Sequence, residues 1–134
     1  MENGLDYIKA LVIDDSKTMV RIITNSLKRL GISNIEVGYD GVEGIESFKS
    51  KHGTDAAFNV ICTDINMPRK NGYDVIKAVR AVDQDVKIIV ITTEGAKKDV
   101  IRALKLGCNN YITKPFTPEV LRTKIKEIFG MEKW

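Results

Sequence analysis

Short apolar runs dominated by valine and isoleucine alternate with longer, helically patterned segments along this sequence, and that alternation leaves few folds open. The runs are Ile8–Ile13, Ile35–Val37, Phe58–Cys62, Val86–Ile91 and Tyr111–Ile112. Polar interruptions within them are few, the pattern of strands covered on both faces. After the first run, Met19, Val20, Ile23, Leu27 and Leu30 form one apolar stripe, with Ser16 as N-cap and Gly31 as stop. Val42, Ile45 and Phe48 mark a second helix after Asp40, and Val75, Ile76, Val79 and Val82 a third after Gly72. Val100, Ala103 and Leu104 mark a fourth, ended by Gly107. The fifth opens on Thr117-Pro118-Glu119, a cap followed by proline in the first turn, and carries Val120, Leu121, Ile125, Ile128 and Phe129 before Gly130. Five β-α units in a row predict an α/β fold: a parallel sheet with helices on both faces, joined by right-handed crossovers.

A chain of 134 residues fits one domain, expected to span 1–134 with its core at about 9–129 and no output domain. No internal repeat, low-complexity segment or linker interrupts it. At 43% hydrophobic and 29% charged the composition is that of a soluble globular protein. No run of eighteen apolar residues exists, and Met1–Ala10, with acidic Glu2 and Asp6, lacks a signal-peptide core. The expected compartment is the cytoplasm. Cys62 and Cys108 form neither a C-x-x-C pair nor a metal-ligand spacing with histidine, and Cys62 reads as a small buried hydrophobe. A net charge of +3 is too small to argue nucleic-acid binding. The charge is uneven, however: from Lys97 to Trp134 nine Lys and Arg stand against four acids, Asp99, Glu119, Glu127 and Glu132. Most of that bias reads as solvated helix faces.

In an open parallel sheet, functional groups collect at the carboxyl ends of the strands. Asp14 and Asp15 follow the first strand, Asp64 the third, Thr92 and Thr93 the fourth, and Lys114 the fifth. Singly each has a plain explanation, Asp15 as a turn former or cap among them. Together they place three carboxylates, a hydroxyl and an ammonium on one edge. Crowded carboxylates repel and raise one another's pKa, and a divalent cation relieves this; few carboxylates with room for water suit Mg²⁺.

The Asp14-Asp15 pair, the stretch Asp64-x-x-Met67-Pro68-x-x-x-Gly72, Thr92 and Lys114-Pro115-Phe116 together resemble the signature of response-regulator receiver domains. The likeness extends from Lys9 to Phe129 and is densest, between Thr92 and Thr117, to the single-domain CheY-type chemotaxis regulators. That resemblance implies a flavodoxin-like (βα)5 doubly wound sheet with strand order 2-1-3-4-5. It implies that Asp64 is the phosphoacceptor, taking a phosphoryl group from a partner histidine kinase. Asp15, Asp64 and the main-chain carbonyl of Asn66 are then the direct Mg²⁺ ligands, with Asp14 acting largely through water. Lys114 and Thr92 are the phosphate-binding residues, Thr92 and Tyr111 the switch pair, and Asn66 and Glu94 tune the rate of dephosphorylation. Thr93 departs from the usual very small residue, and Ser50–Asn59 is somewhat long, as for a tolerated surface insertion.

The function so implied is that of a signalling protein of a two-component system, in chemotaxis and motor control. It is not an enzyme beyond its own phosphorylation and dephosphorylation. A receiver in a non-chemotaxis phosphorelay is the alternative. A Mg²⁺-dependent phosphatase with an aspartate nucleophile needs a second Asp two residues after the first, but Asp14-Asp15-Ser16-Lys17 lacks it. A flavin-binding protein of this fold needs a Gly-rich phosphate loop where the two aspartates stand. A degenerate receiver used only as a scaffold conflicts with the intact set of side chains. The single histidine, His52, lies in a polar stretch and reads as a solvated surface residue, so the phosphodonor is another protein. Output is expected from the face formed by the fourth helix, fifth strand and fifth helix, where Lys97, Lys98, Arg102, Lys105, Arg122, Lys124 and Lys126 suit an acidic or amphipathic target. The expected partners are the kinase, a motor-switch or other target, and optionally a phosphatase. No nucleic acid or membrane insertion is expected, and the protein is expected to be a monomer.

Overall fold

A computed structural model describes residues 5–130; Glu2, Glu132, Lys133 and Trp134, weighed above, lie outside the described residues. Its elements alternate without exception: β1 Lys9–Ile13, α1 Lys17–Arg29, β2 Asn34–Gly38, α2 Gly41–Lys51, β3 Val60–Thr63, α3 Gly72–Arg80, β4 Lys87–Thr92, α4 Lys97–Leu106, β5 Asn110–Thr113 and α5 Pro118–Ile128. All strand pairs are parallel, in the order β2-β1-β3-β4-β5. The expected class and strand order are both present.

Two apolar clusters explain why the strands read as continuous rather than alternating. Side chains of a strand point alternately to opposite faces. Ala10, Val12, Val60, Cys62, Ile89 and Ile91 join Ile23 and Leu27 of α1 and Leu121 and Ile125 of α5. Leu11, Ile13, Ile61, Ile88 and Val90 join Ile45 and Phe48 of α2, Ile76 and Val79 of α3, and Ala103 of α4. Burying each large aliphatic side chain contributes about 1.5–3 kcal/mol, so both layers are needed to order the sheet. Cys62 lies inside this core, and burial pushes its thiol up to about 12.

Several sequence-based details are corrected. The strands β3, β4 and β5 run on through Thr63, Thr92 and Thr113, residues of high strand propensity that an apolar-run criterion omits. Helix α3 ends at Arg80, leaving Val82 outside it and half exposed. Leu104 and Val120, among the apolar residues that mark the fourth and fifth helices, are exposed, and Ala103 is the one buried residue of α4. In Ser50–Asn59 the first two residues complete α2, and the end of the stretch is structural rather than a tolerated insertion. Phe58 is buried, and Asn59 exchanges hydrogen bonds with Lys9, Asn59 Oδ1 accepting from the Lys9 N–H at 2.7 Å. His52 is exposed, yet it stacks on Phe48 with centroids 5.3 Å apart, and its Nδ1 stands 3.5 Å from Asp83.

The caps follow local chemistry. Ser16, Asp40 and Thr117 each accept a backbone N–H three residues on. Helix α3 opens with a reciprocal pair, Asn71 accepting from the Asp74 N–H and Asp74 from the Asn71 N–H. Gly107 closes α4 at φ 117°, a conformation that costs any side-chain-bearing residue.

Candidate functional site

The sheet reverses its winding at β1, flanked by β2 and β3, and a crevice opens beyond the carboxyl ends of these strands. Asp14 leaves β1 there and Asp64 leaves β3, both buried, while Asp15 is exposed. One carboxylate oxygen from each of the three lies within 4.8 Å of the others. Lys114, carried in from the end of β5, places Nζ 2.8 Å from Asp14 Oδ2 and 3.0 Å from Asp64 Oδ2. Its Nζ therefore bridges residues 100 and 50 positions away in the chain.

Neighbouring backbone groups aim the two buried carboxylates. Asp14 Oδ1 accepts from the Ser16 N–H at 2.9 Å, so Asp14 rather than Asp15 closes the turn into α1. Asp64 Oδ1 accepts from the Ile65 N–H at 2.6 Å, leaving Oδ2 for Lys114. Thr63 donates its hydroxyl to the Asp64 carbonyl at 2.9 Å. Gly72 is required where α3 meets this turn: a Cβ would stand 2.3 Å from the Asp64 carbonyl oxygen and 2.8 Å from Ile65 Cα. Glycine permits that close approach of two backbones.

Burial chiefly pushes the Asp14 carboxyl above its usual range, with the Asp64 charge adding to the rise; the Lys114 and Ser16 hydrogen bonds oppose it. For Lys114 burial disfavours the ammonium, but the bonds to Asp14 and Asp64 prevail and hold its pKa above the ordinary lysine value. The pocket is thus a buried anion cluster with one internal counter-cation. Three hard oxygen donors in one small cluster, one of them exposed to water, match the needs of a Mg²⁺ ion that retains part of its hydration. Asp15→Ala is expected to weaken Mg²⁺ binding sharply, measured by calorimetric titration. It should leave the thermal midpoint in EDTA unchanged or higher, because Asp15 is exposed and its charge adds to the repulsion.

The remaining sequence candidates are joined to one another through Glu94. Thr92 is fully buried, its Oγ1 3.4 Å from the Glu94 N–H, whereas Thr93 is exposed. Asn66 Nδ2 donates to the Glu94 carboxylate, and the Tyr111 hydroxyl donates to the Glu94 carbonyl. The Tyr111 ring is partly buried and packs against the α2-α3-α4 cluster, so it already points inward here. Among the basic residues of the last two helices, Lys97, Lys98 and Lys105 are exposed, and Lys124 lies 3.9 Å from Glu127. Ile101, Leu104 and Val120 stand exposed among them.

Some contributors were not anticipated. Asn71-x-x-Asp74 is a capping signal visible in the sequence. Arg69 pairs with Asp40 at 2.8 Å, and Arg102 lies over the Tyr73 ring at 4.0 Å. Both join residues 29 apart, a separation no local pattern reveals.

A family model for the response regulator receiver domain matches residues 10–126. The chain is 49% identical over 125 residues to chemotaxis protein CheY1 of Helicobacter pylori strain J99, covering 92% of this chain and 98% of that protein. It is 46% identical to the chemotaxis protein CheY homolog of Campylobacter jejuni serotype O:23/36, covering 92% and 93%. Among solved structures, chemotaxis protein CheY4 of Vibrio cholerae superimposes with a TM-score of 0.80 at 28% identity, over 90% of this chain and 98% of that one. The CheX-CheY-BeF3-Mg complex of Borrelia burgdorferi gives 0.85 at 23% identity, over 91% and 89%, a likeness of fold.

Proposed function

Since the chain belongs to the response regulator receiver family, we propose that it is the phosphoacceptor of a chemotaxis-type two-component pathway, with Asp64 as the residue phosphorylated. One observation carries this reading: Lys114 Nζ bridges the buried carboxylates of Asp14 and Asp64 at the carboxyl ends of β1 and β3, with Asp15 alongside. Asp64 Oδ2 is the attacking atom. It forms a bond to phosphorus in line with the bond that breaks, and the donor's leaving group, a kinase imidazole or an acetate, departs on the far side. The Ile65 N–H holds Oδ1, so the attacking oxygen is presented in one orientation.

Asp15, Asp64 and the carbonyl of Asn66 would hold Mg²⁺, with Asp14 acting through water, and the ion would supply positive charge against that growing on the equatorial phosphoryl oxygens. Lys114 then turns from Asp64 to a phosphoryl oxygen, and the Thr92 hydroxyl donates to another. Tyr111 is already held inward on Glu94, so the movement of Thr92 toward the phosphate fixes it there, and the α4-β5-α5 surface repacks. That face, with Ile101, Leu104 and Val120 set among lysines, suits an acidic amphipathic segment of a motor-switch or comparable target in the cytoplasm. Its catalysis is confined to its own phosphorylation and dephosphorylation.

The direct test is incubation with acetyl phosphate and Mg²⁺, followed by intact-mass measurement. One base-labile phosphoryl group per chain is expected; no addition overturns the reading. The lifetime of that group depends on the rim. Asn66 and Glu94 flank the approach of a hydrolytic water and are tied to each other. Both are polar, so rapid self-dephosphorylation is expected, with Glu94→Leu slowing phosphate release about tenfold while still accepting phosphate. Release kinetics after donor removal check this, and an unchanged rate in the variant counts against it.

A further inference from the structure

The segment 65–71, between Asp64 and α3, forms neither helix nor strand, yet it carries Asn66 and must be held still for any ligand there. Its least comfortable point is Arg69, at φ 69°, the one residue other than glycine with positive φ among those described. The Lys70 N–H donates to the Pro68 carbonyl at 2.8 Å, closing a three-residue turn around it. Such conformations persist where the surroundings over-determine them.

Three contacts do so. Arg69 Nε donates to Asp40 Oδ2 at 2.8 Å. Asp40 is itself anchored: it is 8% exposed, and its Oδ1 accepts from the Glu43 N–H at 2.8 Å as the cap of α2. Behind the turn, a Cβ on Gly41 would stand 2.1 Å from the Lys70 carbonyl oxygen, so the loop rests directly on the first turn of α2. The Arg69 hydrogen bond holds the Asp40 carboxyl below its usual range, so the pair is ionised at neutral pH.

The Arg69 side chain is 57% exposed, and such pairs add little to global stability. Its effect is local. We propose that Arg69 is a positioning residue: through Asp40 it pins the phosphoacceptor loop to α2, keeping Asp64 and Asn66 set for Mg²⁺ and the phosphoryl group. This rests on the function proposed above, but its metal arm can be read without phosphorylation.

Two substitutions separate positioning from folding. Arg69→Gly removes the guanidinium while accepting positive φ without penalty. Asp40→Asn removes the charge while keeping a good N-cap. Thermal midpoints in EDTA should stay close to that of the wild type in both. Mg²⁺ affinity, by calorimetry with the metal alone, should fall about tenfold. Acetyl phosphate labelling at sub-saturating Mg²⁺ should slow in parallel, and the double variant should be no weaker than either single one. Unchanged Mg²⁺ affinity, losses that track a lowered midpoint, or additive losses in the double variant would each overturn the proposal. Failure of the wild type to label, with the Mg²⁺ result intact, would count against the function and leave the clamp standing.

Discussion

Asp64→Asn is expected to abolish phosphoryl addition from acetyl phosphate while leaving the protein folded. The substitution is nearly isosteric, and an amide oxygen can still accept from the Ile65 N–H, as Asp64 Oδ1 does at 2.6 Å. The group at Oδ2, however, becomes a neutral amide nitrogen with no nucleophilic lone pair, facing the Lys114 ammonium. Asp14 and Asp15 lie within 4.8 Å, but Asp14 is engaged by Ser16 and Lys114, and Asp15 is exposed at the margin. Neither is placed to substitute. In EDTA the variant should melt at or above the wild-type temperature, because one of three crowded charges is gone. Intact-mass analysis with and without hydroxylamine reads the first outcome and calorimetry the second. Undiminished labelling of the variant would move the phosphoacceptor elsewhere.

Lys114→Met should produce the largest loss of stability at this site, and one that Mg²⁺ repairs. The Lys114 side chain is 10% exposed and supplies the one ammonium paired with Asp14 and Asp64 among the described residues. Methionine keeps the length of the stem and removes the charge, leaving buried carboxylates without their counter-cation. Breaking such a pair costs about 3 kcal/mol, a fall of roughly 10 °C in the midpoint for a domain of this size. Mg²⁺ should bind the variant more tightly, since no ammonium competes, and should narrow the deficit by mass action.

Acid should narrow it too. The folded-state pKa of Asp14 is already raised, so the folded protein holds that proton more tightly than the unfolded chain. Stability therefore drains away as pH rises through the raised value and returns as pH falls. Removing Lys114 pushes Asp14 further in that direction. Melting curves from pH 7 down to the carboxylate range, with EDTA or Mg²⁺, test both signs. A deficit that Mg²⁺ deepens would show that Lys114 acts on packing rather than on charge.

How far this protein is legible from its sequence depends on the range of each interaction. Strands buried on both faces announce themselves as Ile88–Ile91 or Ala10–Ile13, because adjacent residues face different apolar layers. Caps are equally local: Ser16 and Met19, or Thr117 and Val120, lie three residues apart on one turn. The gathering of Asp14, Asp64 and Lys114 follows from parallel winding, which brings every strand's carboxyl end to one edge. The order 2-1-3-4-5, by contrast, came to the sequence reading through likeness, since periodicity does not say which strands are neighbours.

Tertiary packing alone decided the rest. It set which apolar residues of α4 face inward: Ala103 is buried in the cluster with α2 and α3, while Leu104 is left outside. The strand ends at Thr63, Thr92 and Thr113 were decided by pairing with neighbours, which a polar residue satisfies as well as an apolar one. Tertiary packing also joined Asn66 to Glu94 and Asp40 to Arg69, pairs 28 and 29 residues apart. Hydrogen bonds and ion pairs act over a few ångströms of space, and a sequence records separation only along the chain. The sequence therefore determined which groups could do the chemistry, and the fold decided what holds each of them in place.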